Sequence, residues 1–152
     1  MDLKEIKVKL IELIKEDLEK KIQEMQRDFQ LARESRNSDT KSSAGDKFET
    51  GREMMQKEMD KCSMMIDLYK IQLSTMNQIK EEKTSQLVEQ GSLIVTNKAN
   101  YLLSIGLGKM ELERQPYFII SIDSPIGSLL KGKSVGDKIN FRDNTIEIIN
   151  II

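Results

Sequence analysis

Between residues 3 and 29 the apolar side chains fall at Leu3, Ile6, Leu10, Ile14, Leu18, Ile22, Met25 and Phe29, and every step is three or four residues. That spacing draws one stripe along an α-helix, while the intervening Lys, Glu, Asp and Gln solvate the opposite face. No Pro or Gly interrupts the run, so the spacing predicts a helix over residues 3–33. A second stripe, Met55, Met59, Cys62, Ile66, Tyr69, Leu73 and Met76, steps alternately by four and three, which is the seam of a coiled coil. It predicts a helix over residues 52–83. Neither stripe can bury itself in an isolated helix, and packing one on the other solves both problems. The link, residues 34–51, is short and rich in Ser, Thr, Asp and Gly, which favours an antiparallel hairpin with these residues at its tip. About 30 residues per helix, at roughly 1.5 Å rise each, make an arm on the order of 45 Å.

Composition agrees with long solvated helices. Charged residues make up 32% of the 152 and aromatics 5%, with no Trp and no His. The charge is concentrated: 17 of the 24 basic and 18 of the 25 acidic residues precede residue 84, so the architecture is expected to change there. A formal net charge of −1 argues against nucleic-acid binding by bulk electrostatics, which needs clustered positive charge. Cys62 is the one cysteine, so no internal disulfide forms and a reducing cytoplasm is expected. The opening MDLKEIKVKL lacks the apolar core of a secretory signal. No stretch approaches the ~18 apolar residues that span a bilayer, so no membrane partner is expected.

Six methionines lie between residues 54 and 76. They read as gap-filling core side chains, with an adaptable contact surface for a partner as the sharper alternative; Met54 and Met64 lie off the main seam and would be the ones to test. Cys62 lies in the seam as an inert thiol, since the chain has no His to activate it.

The tip contains Gly45-Asp46-Lys47-Phe48-Glu49. Asp46 can be an N-cap and Glu49 the third helical residue of a capping box, both favoured by the positive end of the helix dipole. Two carboxylates at this spacing also suit a hard divalent cation, although two alone would hold Mg²⁺ weakly and would need ligands from elsewhere. The readings are compatible, because a capped turn holds its carboxylates in place.

Beyond residue 83 the pattern becomes β-rich. Residues 92–96, 101–105, 109–113, 117–122, 139–141 and 146–151 read as strands, with a hairpin turn at Arg142-Asp143-Asn144. Asp123 or Ser124 can cap a short helix that starts at Pro125 and ends at Gly132. The expected fold is therefore α+β: residues 1–83 a helical hairpin, residues 84–152 a small antiparallel β domain with one short helix. GSLLKGKS, residues 127–134, formally satisfies a phosphate-binding loop, but SLLK reads as helix and a strand follows, which is the wrong setting for one. No nucleophile–base pair is evident, so the chain is not expected to be an enzyme or to act on a small-molecule substrate.

The segment ISIDSPIGSLLKGKSVGDKINF, residues 120–141, resembles the C-terminal domain of the Gre transcript-cleavage factors of bacterial RNA polymerase. Ser124, Pro125, Ile126, Leu130, Gly132, Lys133, Gly136 and Asp137 carry that resemblance, and Gly45, Asp46 and Glu49 fit the family's Gly-Asp-x-x-Glu tip element. The resemblance implies a coiled-coil hairpin followed by an FKBP-like domain that docks beside the polymerase secondary channel, with Asp123, Ser124 and Pro125 in the docking loop. The hairpin would enter the channel, where Asp46 and Glu49 would help hold the second Mg²⁺ jointly with the polymerase and promote hydrolysis of backtracked RNA. Contact with nascent RNA would be indirect. Lys4, Lys7 and Lys9 could face RNA or polymerase, although a solvated helix face accounts for them. Thr50-Gly51-Arg52 departs from the family's Asn-Ala-Glu, which leaves open a channel regulator without cleavage activity. From another class, a coiled-coil adaptor whose β domain binds a different partner also fits the stripes. Prolyl isomerisation does not fit, because the domain has few aromatic residues to line a proline pocket.

Overall fold

A computed structural model of the chain describes residues 1–38 and 45–152, with the backbone alone for residues 45–48. Two long helices, α1 (Leu3–Ser38) and α2 (Gly45–Asn77), precede strands β1 (Leu93–Thr96), β2 (Asn100–Ser104), β3 (Gly108–Leu112) and β4 (Gln115–Ser121). A short helix α3 (Pro125–Leu130) and strands β5 (Lys138–Phe141) and β6 (Asn144–Ile151) complete the chain. The architecture is α+β. Two compact units are present: Lys15–Ser74, and Met1–Ile14 together with Thr75–Ile152. The boundary drawn from composition at residue 83 falls inside the second of these.

In the helical unit the stripes are the buried faces. Leu18 is fully buried and Ile22 nearly so on α1, as are Met59 and Cys62 on α2. Lys21 lies over the Tyr69 ring, 5.7 Å from its centroid, and the Arg36 guanidinium donates to the Gln56 side-chain carbonyl. The contact on α2 moves back along the chain as that on α1 moves forward, so the two helices run antiparallel. Met54 and Met64, which lie off the seam, are exposed. Burial pushes the Cys62 thiol upward, with Glu58 and Asp28 adding to the shift, which fits an inert packed cysteine.

The helix bounds differ from the periodicity reading. α1 runs five residues past Arg33, because Ala32 and Arg36 extend its stripe by steps of three and four. α2 starts at Gly45, inside the segment read as tip, and stops at Asn77 rather than residue 83. Ile79 continues the spacing, three residues after Met76, but lies in a turn where it is buried against Gly91.

In the other unit one sheet of six strands runs in the order β3-β4-β2-β1-β6-β5. The strands and the short helix form where the sequence pattern puts them. The antiparallel expectation needs correcting, because β2 pairs with β4 in parallel, with Leu102 opposite Ile119. The cause is burial. The apolar β4 takes the interior position next to β2, and β3, whose Lys109 and Glu111 are exposed, is left at the edge. Charged edge strands also resist unwanted pairing. β1 and β2 are buried on both faces, by Leu93 and Leu102 on one and Ile94, Tyr101 and Leu103 on the other. Hence they read as continuous apolar runs rather than as alternation. Ile126 and Leu130 of α3 complete the core formed by Ile94, Leu103, Ile139, Ile146 and Ile148. Both hairpin turns carry two residues at positive φ, Glu113-Arg114 and Arg142-Asp143, as two-residue turns of mirror-image type demand.

Candidate functional site

The tip positions lie at the start of α2. The helix begins at Gly45, so positions 46 and 49 fall in its first turn, with neither ahead of it. Three residues apart, they share one face of that turn. The Asp46 side chain lies outside the described residues, as do residues 39–44 of the tip. Glu49 is exposed and has no hydrogen-bond or ion-pair partner among the described residues. It lines a shallow cavity with Arg36, Arg52, Glu53 and Gln56. Arg36 is anchored there through Gln56, whose amide nitrogen in turn donates to Asp60 at 3.0 Å. A carboxylate so placed is free to accept hydrogen bonds or to enter the coordination sphere of a metal brought to it.

The second group of predicted residues, Asp123, Ser124 and Pro125, forms the turn between β4 and α3. Ser124 is the N-cap: its Oγ accepts from the Gly127 N–H at 3.0 Å and donates to the Ser121 carbonyl at 2.6 Å. Pro125 follows in the first turn, where its missing N–H costs nothing. The Asp123 N–H donates to Ser121 Oγ at 3.1 Å, while its carboxylate is exposed and unpartnered among the described residues. Ser124 is therefore committed to the fold, and Asp123 and Pro125 are the members of the trio presented outward. Gly127 lies against this turn so closely that a Cβ would stand 2.1 Å from the Ser121 carbonyl oxygen. That contact accounts for the first glycine of the formal phosphate-loop match, whose spacer is the helix α3 itself. Gly132, at φ +78°, closes the helix, and its N–H donates to the Val88 carbonyl at 2.8 Å.

Lys7 corrects the reading of Lys4, Lys7 and Lys9 as a solvated face. Lys4 and Lys9 are exposed, but Lys7 is 2% exposed. Its Nζ donates to the Lys83 carbonyl at 2.7 Å and to the Ile152 backbone oxygen at 3.2 Å. Burial lowers its pKa, opposed by the Glu89 carboxylate and assisted by the Lys83 ammonium. The sequence held a signal for this. Lys7 sits three residues before Leu10 and four before Ile11, both fully buried, so the apolar face is wide enough here to include it.

No protein-family model, no curated protein and no solved structure was found to match the chain.

Proposed function

We propose that this chain is a regulatory factor of bacterial RNA polymerase, acting through the secondary channel. In this reading α1 and α2 form a coiled-coil hairpin that enters the channel. The β-rich unit, FKBP-like in the proposal, docks outside through the surface around Asp123 and Pro125. Asp46 and Glu49 would complete the coordination of a Mg²⁺ held jointly with the polymerase and promote hydrolysis of backtracked RNA by the polymerase itself. The metal would supply the activated water and the charge that steadies the leaving oxygen. The chain would thus be an activator, working in the cytoplasm, with no substrate of its own.

The observation that carries this reading is the placement of positions 46 and 49 in the first turn of α2, beside the link between two antiparallel helices, with the Glu49 carboxylate exposed and unpartnered among the described residues. The resemblance of residues 120–141 to the Gre factors supports it independently. Stalled, backtracked elongation complexes test it. Added chain should shorten the RNA from its 3′ end, and Asp46→Asn with Glu49→Gln should remove that activity. Binding without RNA release would indicate a channel regulator that lacks cleavage, and absence of polymerase binding would leave a coiled-coil adaptor.

A further inference from the structure

We propose that the cavity beside Lys7 binds a small phosphate-bearing anion. This site belongs to the unit formed by Met1–Ile14 and Thr75–Ile152 and is independent of the tip. The cavity, about 370 Å³, is lined by Lys7, Lys80, Lys83, Ser85, Glu89 and Ser92 among others. That is within the ~300–1,000 Å³ of small-ligand pockets.

Three observations point to an anion. First, Lys7 is a buried ammonium with three protons and two acceptors, so one proton has no partner among the described residues. The side-chain carboxylate nearest in influence, Glu89, is held by Lys83 at 2.7 Å. A buried ammonium proton left unpaired is costly, and an acceptor in the cavity would relieve it. Second, three lysines against one carboxylate leave the lining with an excess of positive charge. Third, the remaining polar groups still offer protons. Ser85 Oγ accepts from the Leu87 N–H at 3.3 Å and Ser92 Oγ from the Glu89 N–H at 3.0 Å, so each hydroxyl keeps its own proton to donate. A lining of ammonium and hydroxyl donors suits an acceptor-rich dianion, and lysine binds phosphate as a point charge. Glu89 is the opposing group: it holds Lys83 at rest and would yield it to the ligand.

The test is calorimetric titration of the full-length chain with inorganic phosphate and, separately, with ribose 5-phosphate. Saturable binding at one site per chain is expected. Lys80→Gln and Lys83→Gln should each weaken it about tenfold, while Glu89→Gln should strengthen it several-fold. All three side chains reach solvent, so the variants should keep the wild-type thermal transition. Lys131→Gln with Lys133→Gln, basic positions outside the cavity, should leave binding unchanged. Tighter binding of the ester would identify a phosphomonoester as ligand, and equal affinity would identify free phosphate; either supports the site. Absence of saturable binding, or affinity that the Lys80, Lys83 and Glu89 variants leave unchanged, would overturn it.

Discussion

The Nζ of Lys7, in the second turn of α1, donates to the main-chain carbonyl of Lys83 at 2.7 Å across 76 residues of sequence. With the Ile152 oxygen at 3.2 Å it ties the first turns of α1, the segment after α2 and the end of β6 into one unit. Lys7→Met would leave both oxygens without this donor. The loss of stability should be about 1–3 kcal/mol, read from urea denaturation. Lys4→Met and Lys9→Met, on exposed side chains, should stay within about 0.5 kcal/mol of wild type.

Gly127 is held to glycine by contact rather than by backbone angle. A Cβ would stand 2.1 Å from the Ser121 carbonyl oxygen and 2.8 Å from Ser124 Oγ. Gly127→Ala should cost about 2–3 kcal/mol, because backbone has to move to relieve the overlap. A thermal melt of the full chain measures it, and a wild-type transition would show that the turn has slack.

Neighbouring residues in the same turn should separate by role. Ser124→Ala removes the N-cap and should cost about 1 kcal/mol. Asp123→Ala removes an exposed, unpartnered carboxylate and should change stability by less than about 0.5 kcal/mol. A lowered affinity for polymerase in the Asp123 variant would then report on docking, free of any folding defect.

Asp137 sets a pH dependence. Its Oδ2 accepts from the Ser134 N–H at 2.8 Å and the Ser134 hydroxyl at 3.1 Å, and these bonds hold its carboxyl below the ordinary carboxylate value. A carboxylate depressed in the folded state stabilises the fold above its unfolded pKa of about 3.9, and that contribution is lost as pH falls through the lower folded value. Asp137→Asn should therefore be less stable than wild type at neutral pH, with the difference closing under acid. Denaturation midpoints collected from pH 7 down to about pH 2 check the sign.

What was legible in the sequence was whatever local periodicity determines. Leu10, Ile14, Leu18 and Ile22 on one stripe, and Met59, Cys62 and Met76 on the other, are buried as their spacing demands. Ser124, Pro125 and Gly132 bound α3 because capping chemistry is local. Non-local choices were not legible. Strand character in residues 109–113 and 117–122 says nothing about which strand lies beside β2, and the more apolar β4 takes that place in parallel. The start of α2 was hidden by Gly45 and Gly51, both poor helix formers that are nonetheless within it. Of the site, the exposure of Glu49 followed from its place in a polar tip. The burial of Lys7 depends on oxygens 76 and 145 residues away, which spacing alone does not reveal.

The partner proposed for this chain is a bacterial RNA polymerase. Retention of purified core polymerase by the immobilised chain tests it most directly. Retention is expected to survive washing at moderate salt and to be weakened by Asp123→Ala, while Asp46→Asn with Glu49→Gln, changes in the first turn of α2, should leave the proposed docking of the β-rich unit intact. Failure of the wild-type chain to retain polymerase would overturn the proposed function.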